Sequence, residues 1–413
     1  MTPLHLTIEQ ARRFVLRHQG LLPPRAAAGK EGVLAFLDRV GCIQFDPLDV
    51  VGRNSDLVLQ SRIIDYRPAL LEEMLYADRS LLDGWDKMAA VYPAGDRTYL
   101  QPRQREAAER SPWNNDGHVL EAVPQVRAEI EARGPLSSID LAHDHKVDWS
   151  WGPTRVAKVA LEDMYSRGEL IIHHKTGTRK YYDFATRHLP AAIAGAPDPH
   201  GSLEDYQDWH FLRRIRGVGL VWNRGHAVWH GIYGGRGVYG GHDTPQRMAA
   251  LERLAKRGKT VEVRIDGIRY PFYLAARDLP ELDGVKNEAV DEVRAAVIAP
   301  LDNLMWERDM VRALFGFDYT WEVYKPVRDR RWGYYVLPVL CGDRFAARFE
   351  PAVDEKTRAL VVKNWWWEPD IERTPSLRSG LHDCFERFAA YLGTRKIRAK
   401  KSLVARENLD WLP

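Results

Sequence analysis

Leu170-Ile171-Ile172-His173-His174-Lys175-Thr176-Gly177-Thr178-Arg179-Lys180-Tyr181-Tyr182-Asp183-Phe184 reads as two strands, Leu170 to His174 and Lys180 to Phe184, folded about Thr176-Gly177-Thr178. Upstream, Val156, Val159, Ala160 and Met164 recur at helical spacing after Pro153, a favoured first position, and Gly168 stops the run. Before that, Val123, Val126 and Ile130 mark another helix that ends at Gly134-Pro135, and Ser137-Ser138 can cap a short helix through Leu141. Helix, short helix, longer helix and hairpin is the order of a winged helix-turn-helix. In such a unit the third helix enters a DNA groove and the hairpin is the wing. Lys175, Arg179 and Lys180 near the hairpin tip then suit phosphate contact, although the same order also serves as a plain α+β scaffold.

The pattern recurs on either side. Between 200 and 285, a helix near Tyr206 to Arg216 leads through a glycine-rich stretch to a helix from Pro245. Val261, Val263 and Ile265 then alternate into Asp266-Gly267, a two-residue hairpin turn before Ile268 to Leu274. A less regular copy opens the chain: Thr7-Ile8-Glu9-Gln10 is a capping box, and Val33, Phe36, Leu37 and Val40 form an i, i+3, i+4, i+7 stripe. The last third changes character. Tyr319 to Tyr324, Gly333 to Leu340, Arg344 to Phe349 and Ala359 to Trp367 read as strands, with Gly342-Asp343 at a turn, and Thr374-Pro375 starts an amphipathic helix. The expected fold is α+β, with tandem winged helix-turn-helix units at 1–117, 118–199 and 200–285 and a mixed α/β or partly barrel-like domain at 286–413.

At 413 residues the chain is long enough for two to four subdomains. No stretch of some 18 apolar residues and no signal-peptide pattern is present, so a cytoplasmic, nucleoid-associated protein is expected. Cys42, Cys341 and Cys384 are too scattered for a disulfide framework or a zinc site, and His143, His145, His173 and His174 lack acidic or thiol partners at ligand spacing. No metal and no cofactor are expected. Net charge is only +3, but nine Lys or Arg face two acids between Arg373 and Arg406, a basic run that can meet phosphates or simply be solvated. Gly235-Arg236-Gly237-Val238-Tyr239-Gly240 matches a dinucleotide fingerprint by letter but lacks its strand and helix context. A loop approaching a phosphate backbone through Arg236, Tyr239 and His242 fits better. Trp365-Trp366-Trp367 alternates as a strand would, which favours core packing over base stacking.

One short segment can carry chemistry. In Cys42-Ile43-Gln44-Phe45-Asp46-Pro47-Leu48, residues two apart share a face, so Gln44 and Asp46 stand together while Ile43 and Phe45 face the core. An amide and a carboxylate side by side can hold and polarise one water, though the same pair also suits the polar face of an edge strand. Arg53 and Arg62 flank the segment and either neutralise phosphates or pair with Asp46, Asp49 or Asp56.

Ile43-Gln44-Phe45-Asp46, followed by Val50-Val51-Gly52-Arg53 and Leu57-Val58-Leu59-Gln60-Ser61-Arg62, resembles the opening of the crosslink-repair DNA glycosylases of the YcaQ/AlkZ type, whose hallmark is Gln, an apolar residue, then Asp or Gln. Arg133-Gly134-Pro135-Leu136-Ser137-Ser138, Ala299-Pro300-Leu301-Asp302-Asn303-Leu304-Met305-Trp306-Glu307-Arg308 and Trp332-Gly333-Tyr334-Tyr335-Val336-Leu337-Pro338 extend the likeness along nearly the whole chain. The resemblance implies tandem winged helices on double-stranded DNA carrying alkylated bases and a monomeric, monofunctional glycosylase, with Gln44 and Asp46 as its catalytic pair. A non-catalytic winged-helix regulator or damage-recognition factor is the rival reading. Members often carry a His-Glu pair shortly after a Trp; here the run is Trp85-Asp86-Lys87-Met88.

Overall fold

The computed structural model describes residues 3–22, 27–142, 144–149, 152–225, 227–232, 244–287 and 294–413. The unit around the opening hairpin has the expected order. Helix Gly117–Arg133 ends at Gly134, a 3-10 turn spans Ser138–Asp140 under the Ser137 capping box, and helix Val156–Ser166 precedes strands Leu170–Thr176 and Arg179–Phe184. Leu136 bridges Tyr182 through two backbone bonds of 3.0 and 2.8 Å, which ties the segment before the 3-10 turn to the hairpin. The long helix starts three residues after Pro153 because Thr154–Arg155 pairs with Lys146–Val147 instead. This unit owns a separate core, built from Val126, Ile130, Val159, Leu161 and Tyr182 among others.

The flanking segments do not fold as consecutive units. Strand Leu4–Leu6 adds in parallel to Thr260–Ile265, which pairs through the Asp266-Gly267 turn with Ile268–Ala275, itself next to Leu220–Trp222. Helix Ile8–His18, begun by the Thr7–Gln10 capping box, buries Phe14, Val15 and Leu16 in the same core as helix Leu203–Val218. Helix Gly29–Val40 turns its Val33, Phe36, Leu37 and Val40 stripe into a different core, shared with the last third of the chain.

That last third is an open five-stranded sheet in the order Ala295–Val297, Leu337–Cys341, Arg344–Val353, Leu360–Trp367 and Ile397–Ala399. It is not a barrel: its two outer strands do not pair with each other, and helix Pro375–Tyr391 packs against it with Leu381, Phe385 and Phe388 buried. Trp365 is fully buried against Phe349, Phe385 and Trp411, as alternation requires. The expected strand at Tyr319 to Tyr324 is irregular, and the one expected from Gly333 begins at Leu337. The reason lies in the side chains. The Glu322 carboxylate accepts the backbone N–H groups of Arg331 (3.1 Å) and Trp332 (2.8 Å), and Glu350 accepts that of Tyr334 (3.3 Å), so these donors are not offered to a ladder.

Candidate active site

Strand Ile43–Gln44 lies at the edge of a small sheet and pairs antiparallel with Met88–Pro93, which pairs in turn with Leu81–Asp86. The extension runs one residue further, since the Phe45 N–H donates to the Ala89 carbonyl at 2.9 Å. Pro47 has no N–H to continue the ladder, and Asp46 Oδ1 accepts the Leu48 N–H at 2.9 Å, which turns the chain outward. Ile43 is fully buried. Phe45 is half-buried, its ring covered by the Lys175 ammonium at 3.8 Å, so it packs on the hairpin rather than in the core.

Two asparagines fix this segment. Asn54 Nδ2 donates to the Gln44 carbonyl at 2.8 Å while its Oδ1 accepts the Leu301 N–H at 3.0 Å. Asn303 Nδ2 donates to the Cys42 carbonyl at 3.0 Å. Gly52 must be glycine: its φ is +114°, and a Cβ there would come 1.8 Å from the Tyr391 hydroxyl.

The Gln44 side chain is buried, with Oε1 accepting from Lys87 Nζ at 3.2 Å. Among the described residues its Nε2 has no hydrogen-bond partner, and neither has Asp46 Oδ2. Asp46 is half-buried, and burial raises its pKa against the opposing Leu48 N–H. The amide and the acid therefore each keep one free end.

Sequence reasoning missed the groups behind this pair. Lys87 sits in a tight turn between the two longer strands, where Met88 adopts φ +58°. Burial lowers the Lys87 pKa to about 7; Arg214 and Arg308 act the same way, while Cys42 and Glu307 oppose. Its Nζ lies 5.1 Å from the Trp306 ring centroid. Burial and Asp309 raise Glu307 to about 7, against the N–H groups of Val228 and Ala227 and the Lys87 charge. The neighbouring Asp86 is fully buried and accepts from Arg213 Nε (2.6 Å), His210 Nε2 (3.0 Å) and Arg214. The Arg214 and Arg213 charges, with the His210 hydrogen bond, overcome the burial penalty and hold its pKa well below the usual carboxylate range. The departure at Trp85 to Met88 was the one signal that pointed here.

A second missed feature is the loop after Trp321. Tyr324 is 81% and Val327 78% exposed, Arg328 and Arg331 are exposed, and Asp46 acts electrostatically on both Tyr324 and Tyr335. Glu322 braces the loop from below. Hydrogen bonds from Lys325, Trp332, Arg331 and Gly333 outweigh its desolvation and bring its pKa to about 2.

The expected phosphate contacts divide. Arg62 is a correction: it is 2% exposed and forms a two-pronged pair with Asp302 at 2.7 and 2.8 Å, with Nε on the Gln19 carbonyl at 2.8 Å, so it cannot reach DNA. Nor does it pair with Asp46, Asp49 or Asp56. Lys175 is a second correction, because its nearly buried amine is bound to Asp83 at 2.7 Å. Lys180 is partly exposed but held by Glu162 at 2.8 Å, and Arg53 is partly exposed beside Glu72 at 3.6 Å. Arg179 is exposed at the hairpin turn and has no partner among the described residues. Arg236, Tyr239 and His242, with the Gly235 to Gly240 run, lie outside the described residues, as does His143.

The sequence pattern of the family described as DNA glycosylase AlkZ-like matches residues 37–391. Among solved structures, the Streptomyces sahachiroi DNA glycosylase AlkZ aligns with a TM-score of 0.60 at 14% identity, over 96% of this chain and 100% of that one. At that identity the likeness is one of fold.

Proposed function

Because the chain belongs to the AlkZ-like DNA glycosylase family and is a DNA glycosylase, we propose that Gln44 and Asp46 hydrolyse the N-glycosidic bond of alkylated purines of the 7-alkylguanine type in duplex DNA. The observation that carries this reading is the pair of unsatisfied ends, Gln44 Nε2 and Asp46 Oδ2, on one short extended stretch. A 7-alkylguanine already bears positive charge and departs without a general acid. What remains is to stabilise the oxocarbenium-like sugar and deliver a water. Asp46 supplies the negative charge and takes the water's proton, and its burial-raised pKa favours that transfer. Gln44 donates through Nε2 to orient the water. The Lys87 amine is engaged by the Gln44 amide oxygen at 3.2 Å, and the reaction is read as monofunctional, leaving the strand intact.

The DNA would be met by two surfaces near the pair. The hairpin at 170–184 serves as the wing of a winged helix, with Arg179 at its tip; Lys180 and Arg53 are secondary cations. The exposed loop carrying Tyr324, Arg328 and Arg331 is a second contact surface, with Tyr324 within electrostatic reach of Asp46. Asp46 is half-buried at the end of an edge strand and so can be met from the surface, which suits a base that cannot flip freely, as in an interstrand crosslink.

Release of 7-methylguanine from a methylated duplex tests the assignment. Asp46→Asn and Gln44→Ala are each expected to slow single-turnover release by about 10²–10³-fold with duplex affinity preserved. Wild-type release rates in both variants would overturn it.

A further inference from the structure

We infer that Lys87 is a positioning residue for base release: its amine, seated on the Gln44 amide oxygen, holds that amide with its nitrogen toward the reacting centre. The inference rests on assigning Gln44 to the reaction. A primary carboxamide has a donor end and an acceptor end of nearly equal shape, so a lone glutamine can flip and present either one. At 3.2 Å from Lys87 Nζ the choice is forced. An ammonium has only donors to offer, so the group facing it is Oε1 and the group facing away is Nε2. The Gln44 backbone is fixed independently by Asn54 and by the strand pairing with Ala90, which leaves the side-chain torsions, the amide rotation among them, as the remaining freedom.

A purely structural role explains Lys87 poorly. The residue is 5% exposed, and Arg214 and Arg308 bear on it with like charge. A buried amine in such company is disfavoured, and an apolar side chain of the same length would pack there more favourably. Among the described residues the amine is contacted by the Gln44 oxygen and by the Trp306 ring face at 5.1 Å, and Glu307 favours its charge from further off. The amine's position at the back of the amide, rather than beside the free Nε2, makes it a partner of Gln44 and not an attacking group.

A double-mutant cycle on release of 7-methylguanine from a methylated duplex tests this, with single-turnover rate and duplex dissociation constant measured separately. Lys87→Met is expected to lower the rate roughly 10- to 100-fold, leave the dissociation constant unchanged, and keep or raise the melting temperature. In the Gln44→Ala background the same substitution should cost no further rate. Gln44→Glu supplies a check that does not depend on Lys87 variants folding. It keeps an oxygen against Lys87 but loses the outward N–H, so it should be as slow as Gln44→Ala. If Gln44→Ala itself releases base normally, the assignment of Gln44 fails. If Gln44→Ala is slow while Lys87→Met is unaffected, or costs as much again in the double variant, or if Gln44→Glu keeps the wild-type rate, the positioning role is overturned and Gln44 stands.

Discussion

Replacing Arg62 by Met separates a buried tie from a DNA contact. Arg62 spends all its donors inside the protein: Nη1 and Nη2 on the two Asp302 oxygens, Nη1 also on the Val58 carbonyl (2.9 Å) and Ser61 Oγ (2.7 Å), and Nε on Gln19. Met has similar length and fills the space beside the Phe36 ring. It leaves Asp302, at zero exposure, with only the Leu304 N–H at 2.9 Å among the described residues. Stranding one member of a buried pair costs about 3–5 kcal/mol. For 413 residues unfolding with an entropy of roughly 0.9 kcal/mol/K, that lowers Tm by about 3–6 °C by calorimetry. Arg62→Met with Asp302→Leu should recover most of the loss, because no charge is then left buried. Fluorescence anisotropy of a labelled duplex against salt should give an unchanged slope, since a phosphate contact would contribute about 0.9 to it. A Tm within 1 °C of wild type together with a slope shallower by about 1 would refute the reasoning and return Arg62 to the DNA surface.

The hairpin cations should divide in the opposite senses. Lys175→Met, which leaves the buried Asp83 without its cation and held by the Tyr76 hydroxyl, is expected to lower Tm with the salt slope intact, whereas Arg179→Ala should flatten the slope by about 1 with Tm unchanged. Burial raises Asp56 to about 6 despite the Tyr66 hydroxyl at 2.6 Å, so the folded state binds a proton that the unfolded chain releases near pH 4. That contribution is fully present below about pH 4 and lost as pH rises through about 6. Asp56→Asn should therefore flatten the urea-measured stability profile across that window, by no more than about 3 kcal/mol.

Local signals were legible where the local chain decides. The Thr7 capping box, the Val33 to Val40 stripe, the turns at Gly177, Gly267 and Gly342, and the helix start at Thr374-Pro375 each satisfy their own neighbours, and the structure reproduces them. Spacing also separated Gln44 from the buried Ile43. Partners distant in sequence were not legible. Nothing near Arg62 announces Asp302, nothing near Lys175 announces Asp83, and nothing near Leu4 announces Val263. Tyr319 to Tyr324 alternates like a strand, yet Glu322 draws the backbone donors of Arg331 and Trp332 to its carboxylate, and a side-chain acceptor displaces a ladder that period alone would predict. Lys87 stayed hidden for the same reason: its meaning comes from Gln44, across the sheet.

The parallel union of Leu4–Leu6 with Thr260–Ile265 bears on the order of assembly during translation. Once Leu6 has emerged, its partner is still unmade; at about 5–20 residues per second the ribosome needs roughly 15–50 s to supply it. The core around Val33 and Leu37 waits longer still, for strands beyond Ala295. Among the described residues, the segment from Trp113 to Phe184, whose apolar contacts lie almost wholly within itself, can close while the remainder is being made. A nascent chain of this protein therefore carries an unpaired strand at Leu4–Leu6 and an uncovered helix stripe at Val33 to Val40 until these later partners have been made.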